Sequence, residues 1–314
     1  MKTTVFFASL FLVIGLAACQ SKDETSSGSN VTSSLKSTEI TVNDTHVEGI
    51  ACESQYEADL LSNSEKMLRY LANGYGKFNK YVHSKGGLRY QINHCPDVVI
   101  DTAEAGYPIT IALNYGDSTV LKNGRILSGK VEIVISGPKN TDGTIRSITY
   151  TNFSVDSVVI NGSVSELFNG DNTSTKTISL TDELTFLYPD GTLYTRVGKR
   201  VNNWLEGLDT ELDPEDDKIE ITGDVSVTNS LGESYSKTII EPLIRLGSCK
   251  YYVQGITQIT MNSEVISSIN YGNGDCDNEA TITVAGVDST IVLNSGMPKH
   301  SNSSNSGQHK KGKK

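Results

Sequence analysis

The run Leu184-Thr185-Phe186-Leu187-Tyr188-Pro189-Asp190-Gly191-Thr192-Leu193-Tyr194-Thr195-Arg196-Val197 decides the fold of this chain. Apolar residues alternate with polar ones on both sides of an Asp-Gly step, which is the pattern of two antiparallel strands joined by a tight turn. Centring the turn on Asp190-Gly191 pairs Leu184 with Val197 and Tyr188 with Leu193, so one face stays apolar. The same logic reads outward along the chain. Lys130-Val131-Glu132-Ile133-Val134-Ile135 and Thr281-Ile282-Thr283-Val284 alternate with period two. Asp142-Gly143, Asn161-Gly162 and Leu231-Gly232 punctuate the runs as turns. Centring on Asn161-Gly162 pairs Val159 with Val164 and Val155 with Phe168.

About a dozen strands joined by short turns, with no helical period between them, predict a mainly β fold built as one large antiparallel meander. So many strands must curl, split into two layers or close, and the pattern leaves curved sheet, sandwich and barrel-like forms open. The β domain is expected over residues 88–296. Ahead of it, Leu60, Leu61, Met67, Leu68 and Leu71 recur at three- to four-residue spacing, predicting a helix between about Glu53 and Leu71 inside a helical segment at 49–87.

The N-terminal end reads as a targeting and anchoring signal. Lys2, the apolar run from Val5 to Leu16 and the small residues Ala17 and Ala18 have the layout of a secretory signal over residues 1–18. Leu16-Ala17-Ala18-Cys19 resembles the lipobox of bacterial lipoproteins, which implies cleavage before Cys19 and acylation of that cysteine as a membrane anchor. Residues 19–48, dense in Ser and Thr, are expected to be a flexible stalk. Residues 297–314, ending His309-Lys310-Lys311-Gly312-Lys313-Lys314, are expected to be a disordered basic tail. Lys22-Asp23-Glu24 resembles the acidic export signals of surface-exposed lipoproteins in the phylum Bacteroidota.

A formal net charge of −10 and the absence of a basic stripe in the body argue against nucleic acid as a partner. The other four cysteines of this exported chain suggest two disulfides. A hairpin turning at Asn262-Ser263 sets Ile259 against Ile266, Lys250 against Asp275 and Cys249 against Cys276, so Cys249–Cys276 is predicted and Cys52–Cys95 is left.

Several motifs in order resemble an uncharacterised family of Bacteroidota envelope lipoproteins. They include Tyr107-Pro108-Ile109-Thr110-Ile111, Tyr188-Pro189-Asp190-Gly191, Trp204-Leu205-Glu206-Gly207 and the most specific one, Gly274-Asp275-Cys276-Asp277-Asn278-Glu279-Ala280. The resemblance implies an envelope lipoprotein with an extended β body. It carries over no activity and no catalytic residue.

Chemistry is sparse. Of the five histidines, His46 lies in the stalk and His300 and His309 in the tail, leaving only His83 and His94 near the start of the β domain, and no Gly-x-Ser-x-Gly elbow, Walker loop or His-Glu-x-x-His motif occurs. Non-enzymatic binding is therefore expected, without a cofactor beyond the lipid. Asp209, Glu211, Asp213, Asp217 and Glu220 have the oxygen spacing of a calcium loop, but Pro214 stands where such a loop needs glycine, so only an irregular calcium site is a candidate. Trp204 with Arg200 is the candidate ligand platform, the alternative being a core tryptophan. Two functional readings remain: an outer-membrane or surface lipoprotein binding glycans or protein partners, and a periplasm-facing carrier or assembly factor binding an acyl chain or a partner strand. A hydrolase using paired carboxylates is the third.

Overall fold

The computed structural model describes residues 25–62 and 96–293, apart from residues 104–105, 122–123, 139–140, 172–173, 209–213 and Lys250. One helix, α1 (Thr25–Ser62), precedes thirteen strands. These are β1 (Asp97–Thr102), β2 (Ile109–Val120), β3 (Ile126–Ile135), β4 (Ile145–Val155), β5 (Val158–Gly170), β6 (Lys176–Leu187) and β7 (Leu193–Glu206). They continue as β8 (Lys218–Asn229), β9 (Ser234–Leu246), β10 (Tyr252–Met261), β11 (Glu264–Asn273), β12 (Glu279–Val284) and β13 (Val287–Val292). Every strand pairs with its neighbours in sequence, all antiparallel, in one sheet that does not close. The expected meander is thus present, and its form is an open curled sheet.

The register differs from the expected one at two turns. In the β6–β7 hairpin Leu187 faces Leu193 and Leu184 faces Arg196, one step from the expected pairing. The turn is wider than two residues: Tyr188 N–H donates to Thr192 O (2.9 Å) and Gly191 N–H to Tyr188 O (3.0 Å). A one-residue slip exchanges the faces of a strand. Arg196 is consequently 3% exposed and Val197 47% exposed. Asn161-Gly162, by contrast, is not a turn. It lies inside β5, and the β4–β5 hairpin turns at Asp156-Ser157, between the facing residues Val155 and Val158. Gly162 serves close approach: a Cβ built on it would stand 2.1 Å from Glu183 O on β6.

At the β10–β11 turn Asn262 and Ser263 both have positive φ, and Met261 faces Glu264 as expected. A bulge between Ile259 and Thr260 then places Ser267, not Ile266, opposite Ile259. The Cys249–Cys276 disulfide nevertheless forms at the far end of this hairpin. Cys52 carries a free thiol, and Cys95 lies outside the described residues, so the Cys52–Cys95 pairing is not part of the described structure.

The N-terminal reading also needs correction. The stretch expected to be stalk is helical from Thr25, and the helix expected from Glu53 onward ends its described part at Ser62. Ser, Thr, Val and Gly make α1 a poor helix on its own. The sheet holds it. Ile40, Val47, Ala51 and Ala58, at alternating spacings of one and two turns, join a core built from residues of β2 through β10. Hydroxyls at Thr38, Thr41 and Ser62 donate to the carbonyl four residues back, which satisfies these polar groups within the helix without favouring it. The signal, Cys19 and the basic tail lie outside the described residues. No described helix is long and apolar enough to cross a membrane.

Candidate functional site

The sheet curls so that its concave face encloses α1, and this face carries a row of charges. On β7, alternation sends Tyr194, Arg196, Gly198 and Arg200 to one side. Registration aligns them with Leu184 and Asp182 on β6 and with Val227 and Val225 on β8. Lys237 on β9 faces Val225 and so joins the same side. Gly198 matters here, because a Cβ at this position would strike Asp182 Oδ1 at 2.5 Å. Its bare Cα gives the Asp182 carboxylate room to lie beside Arg196, 3.1 Å from its Nε.

Glu48 of α1 closes the centre of this group. Its carboxylate takes Arg200 at 2.7 Å, Lys237 Nζ at 3.0 Å and lies 3.6 Å from Arg196 Nη1. Lys237 Nζ also donates to Asp44 Oδ2 at 2.7 Å. Burial alone would raise the Glu48 carboxyl, but Arg200, Lys237 and Arg196 hold it well below the usual carboxylate range. Lys237 is pushed up: burial opposes its charge, and Asp44 and Glu48 outweigh that opposition. Three cations thus meet three carboxylates, of which only Asp182 belongs to the sheet.

A second group lies towards the end of α1. Arg146 on β4 faces Glu166 on β5 and donates to it through Nε at 2.7 Å. Its Nη2 pairs with Asp59 and its Nη1 donates to Ser62 Oγ at 2.8 Å. Gln55 Nε2 donates to Glu166 Oε1 at 2.6 Å. Arg125 bridges Glu53 and Asp156. Glu57 has a different environment: it accepts a hydrogen bond from Tyr115 OH at 3.0 Å, and burial raises its carboxyl to about 7. Lys36–Glu233 (3.0 Å) and Thr41 Oγ1–Ser267 Oγ (2.7 Å) fix the earlier turns of α1.

The residues singled out from sequence fare unevenly. Trp204 and Arg200 project from the same face of β7, but Arg200 is engaged by Glu48. Trp204 packs beside a second apolar cluster that includes Ile219, Leu243 and Tyr271, with Lys176 Nζ 4.1 Å from its ring centroid. Asp209, Glu211 and Asp213 lie outside the described residues. Asp217 is half-buried and burial raises its carboxyl, while Glu220 alternates with Ile219 and Ile221 and takes the other face of β8. Among the described residues, no three His, Cys, Asp or Glu side chains are grouped as metal ligands. Cys52 lies against the central charge group, its Sγ 3.5 Å from Glu48 Oε1, and burial pushes its thiol up.

The charged trough was missed because its two halves are separate in sequence. The available signal was the recurrence of Asp44, Glu48, Glu53 and Glu57 at about one-turn spacing beside an apolar stripe. No known protein family, curated protein or solved structure matches this chain.

Proposed function

We propose that this chain is an envelope lipoprotein, anchored through Cys19, that works without catalysis by binding another polypeptide along an open sheet edge. One observation carries the reading. β1 and β13 each have a neighbour on one side only, so each offers a row of main-chain donors and acceptors among the described residues. β13, Val287-Asp288-Ser289-Thr290-Ile291-Val292, contains neither Lys nor Pro, the residues that usually block an edge. Val287 and Val292 on it are 67% and 65% exposed. An added strand gains affinity from main-chain bonds and specificity from alternate side chains.

The competing ligands have less support. A glycan would need Trp204 and Arg200, which are taken up by Lys176, the core and Glu48. An acyl chain would need an apolar hollow, and the concave face holds α1 instead.

The test is photo-crosslinking in intact cells with a reactive residue at Val287 or Val99. A discrete adduct with another envelope polypeptide is expected, and Thr290→Pro or Ser289→Pro should remove it. No adduct at either edge would sink the proposal. Protease shaving, with and without Lys22, Asp23 and Glu24 replaced by Ala, separates a surface partner from a periplasmic one.

A further inference from the structure

We infer that Lys237 and Asp44 join in an intramolecular isopeptide bond, with Glu48 moving the protons, so that α1 is tied covalently to β9. This goes beyond the edge-strand reading and does not depend on it. The choice of cation is the first observation. Every other buried carboxylate that meets a cation here meets an arginine: Glu53 has Arg125, Glu166 has Arg146 and Asp182 has Arg196. Arginine suits such pairs because it is planar and permanently charged. Lys237 is the only lysine among the buried described residues, and it faces two carboxylates. Its amine, unlike a guanidinium, becomes a nucleophile on losing one proton. Distance is the second observation. Lys237 Nζ stands 2.7 Å from Asp44 Oδ2, so Asp44 Cγ, one bond further, lies within about 4 Å of the amine, close to the ~3–3.5 Å of a reactive approach. The third is exclusion of water. Lys237 and Asp44 are 6% and 2% exposed, and the buried Tyr235 and Tyr271 flank them.

The step needs no co-reactant. One proton passes from Lys237 Nζ to Asp44 and turns the ion pair into a neutral amine and a neutral acid. Asp44 and Glu48 keep Lys237 from losing its proton to solvent, but transfer inside the pair leaves the net charge of the cluster unchanged, and burial favours the neutral partners. The Nζ lone pair attacks Asp44 Cγ and forms the N–C bond. Glu48, 3.0 Å from Nζ, accepts the second amine proton and returns it to the departing Asp44 hydroxyl. The C–O bond breaks and one water leaves; a water-sized cavity bordered by Glu48 and Lys237 has room for it. Carboxylate and ammonium have become amide and water, and Glu48 ends as it began. Arg200 and Arg196 keep Glu48 ionised, and so a poor target for the amine, whereas Asp44 pairs with no other cation among the described residues.

Mass spectrometry of the chain purified from cells carries the test. After denaturation, reduction and trypsin, a branched peptide is expected that joins residues 37–66 to residues 219–245, uncleaved after Lys237 and lighter by one water than its two parts. Fragmentation should place the link at Asp44 and Lys237. Lys237→Arg keeps the charge but offers no amine, and its intact mass should exceed that of the wild type by one water more than the substitution accounts for. Glu48→Gln should lower the branched fraction at least about tenfold. Separate wild-type peptides, one carrying a free Asp44 and the other ending at Lys237, would overturn the proposal, and that readout stands whether or not the variants fold. Full bonding in Glu48→Gln would overturn the role given to Glu48.

Discussion

Glu57 and Glu48, nine residues apart on α1, respond to pH in opposite senses. Burial raises the Glu57 carboxyl to about 7, with only the Tyr115 hydroxyl easing it. The folded chain therefore keeps this proton between the ordinary carboxylate value and about 7, while the unfolded chain has lost it. Stability from Glu57 is full below the ordinary value and is lost as pH rises through 7. Glu57→Gln should therefore add about 1–3 kcal/mol at pH 8 relative to wild type and little at pH 4, read from urea denaturation at both. Glu48 is depressed, so its contribution is present above the ordinary value and is lost as pH falls through its folded one. Glu48→Gln should cost about 3–5 kcal/mol at pH 7, because it leaves Arg200 and Lys237 buried and underpaired. Combining it with Lys237→Met should cost less than the sum of the two, and that coupling marks a shared seat.

At the scale of elements, α1 and β5 make contrasting claims on their sequences. A peptide of residues 33–62 should show little helix by circular dichroism in buffer, since Ser, Thr and β-branched residues crowd its first half and Gly49 interrupts it. Thr41→Cys with Ser267→Cys should form an intramolecular disulfide on mild oxidation, because their hydroxyls already touch; failure to crosslink would place α1 elsewhere. For β5, Gly162→Ala should destabilise by about 2–4 kcal/mol, since its φ is positive and its Cβ would meet the Glu183 carbonyl. A loss within experimental error would mean that the Glu183 carbonyl of β6 does not approach Gly162 this closely.

At the scale of the molecule, an open meander has no closure contacts to hold its ends. The core of α1 and the sheet secures β2 to β10, while β11 and β12 pack in a second apolar cluster. Cys249–Cys276 pins this second region across a sequence separation of 27. A loop of that size corresponds to about 3.5 kcal/mol in the chain-entropy model, so Cys249→Ala with Cys276→Ala should lower the unfolding free energy by roughly that much. An unchanged denaturation midpoint would mean that β11 and β12 stand without the bridge.

Strands were legible in sequence because side-chain alternation is local, and so were the Asn262-Ser263 turn and the Cys249–Cys276 bridge that its hairpin brings together. The Asp190-Gly191 register was read one residue off, because Asp-Gly suits both a two-residue and a wider turn, and only pairing along both full strands selects between them. That single step hid the trough, since it assigned Val197 rather than Arg196 to the buried face. Gly162 looked like a turn residue because positive φ serves a turn and a close strand crossing equally. What the amino-acid sequence determined by itself was therefore the class of fold, the meander order and one covalent bridge. Tertiary structure alone decided that a Ser/Thr-rich stretch would be a helix. Asp44 and Glu48 gain cationic partners more than a hundred residues away in sequence, Lys237 and Arg200, and no local propensity encodes that attraction.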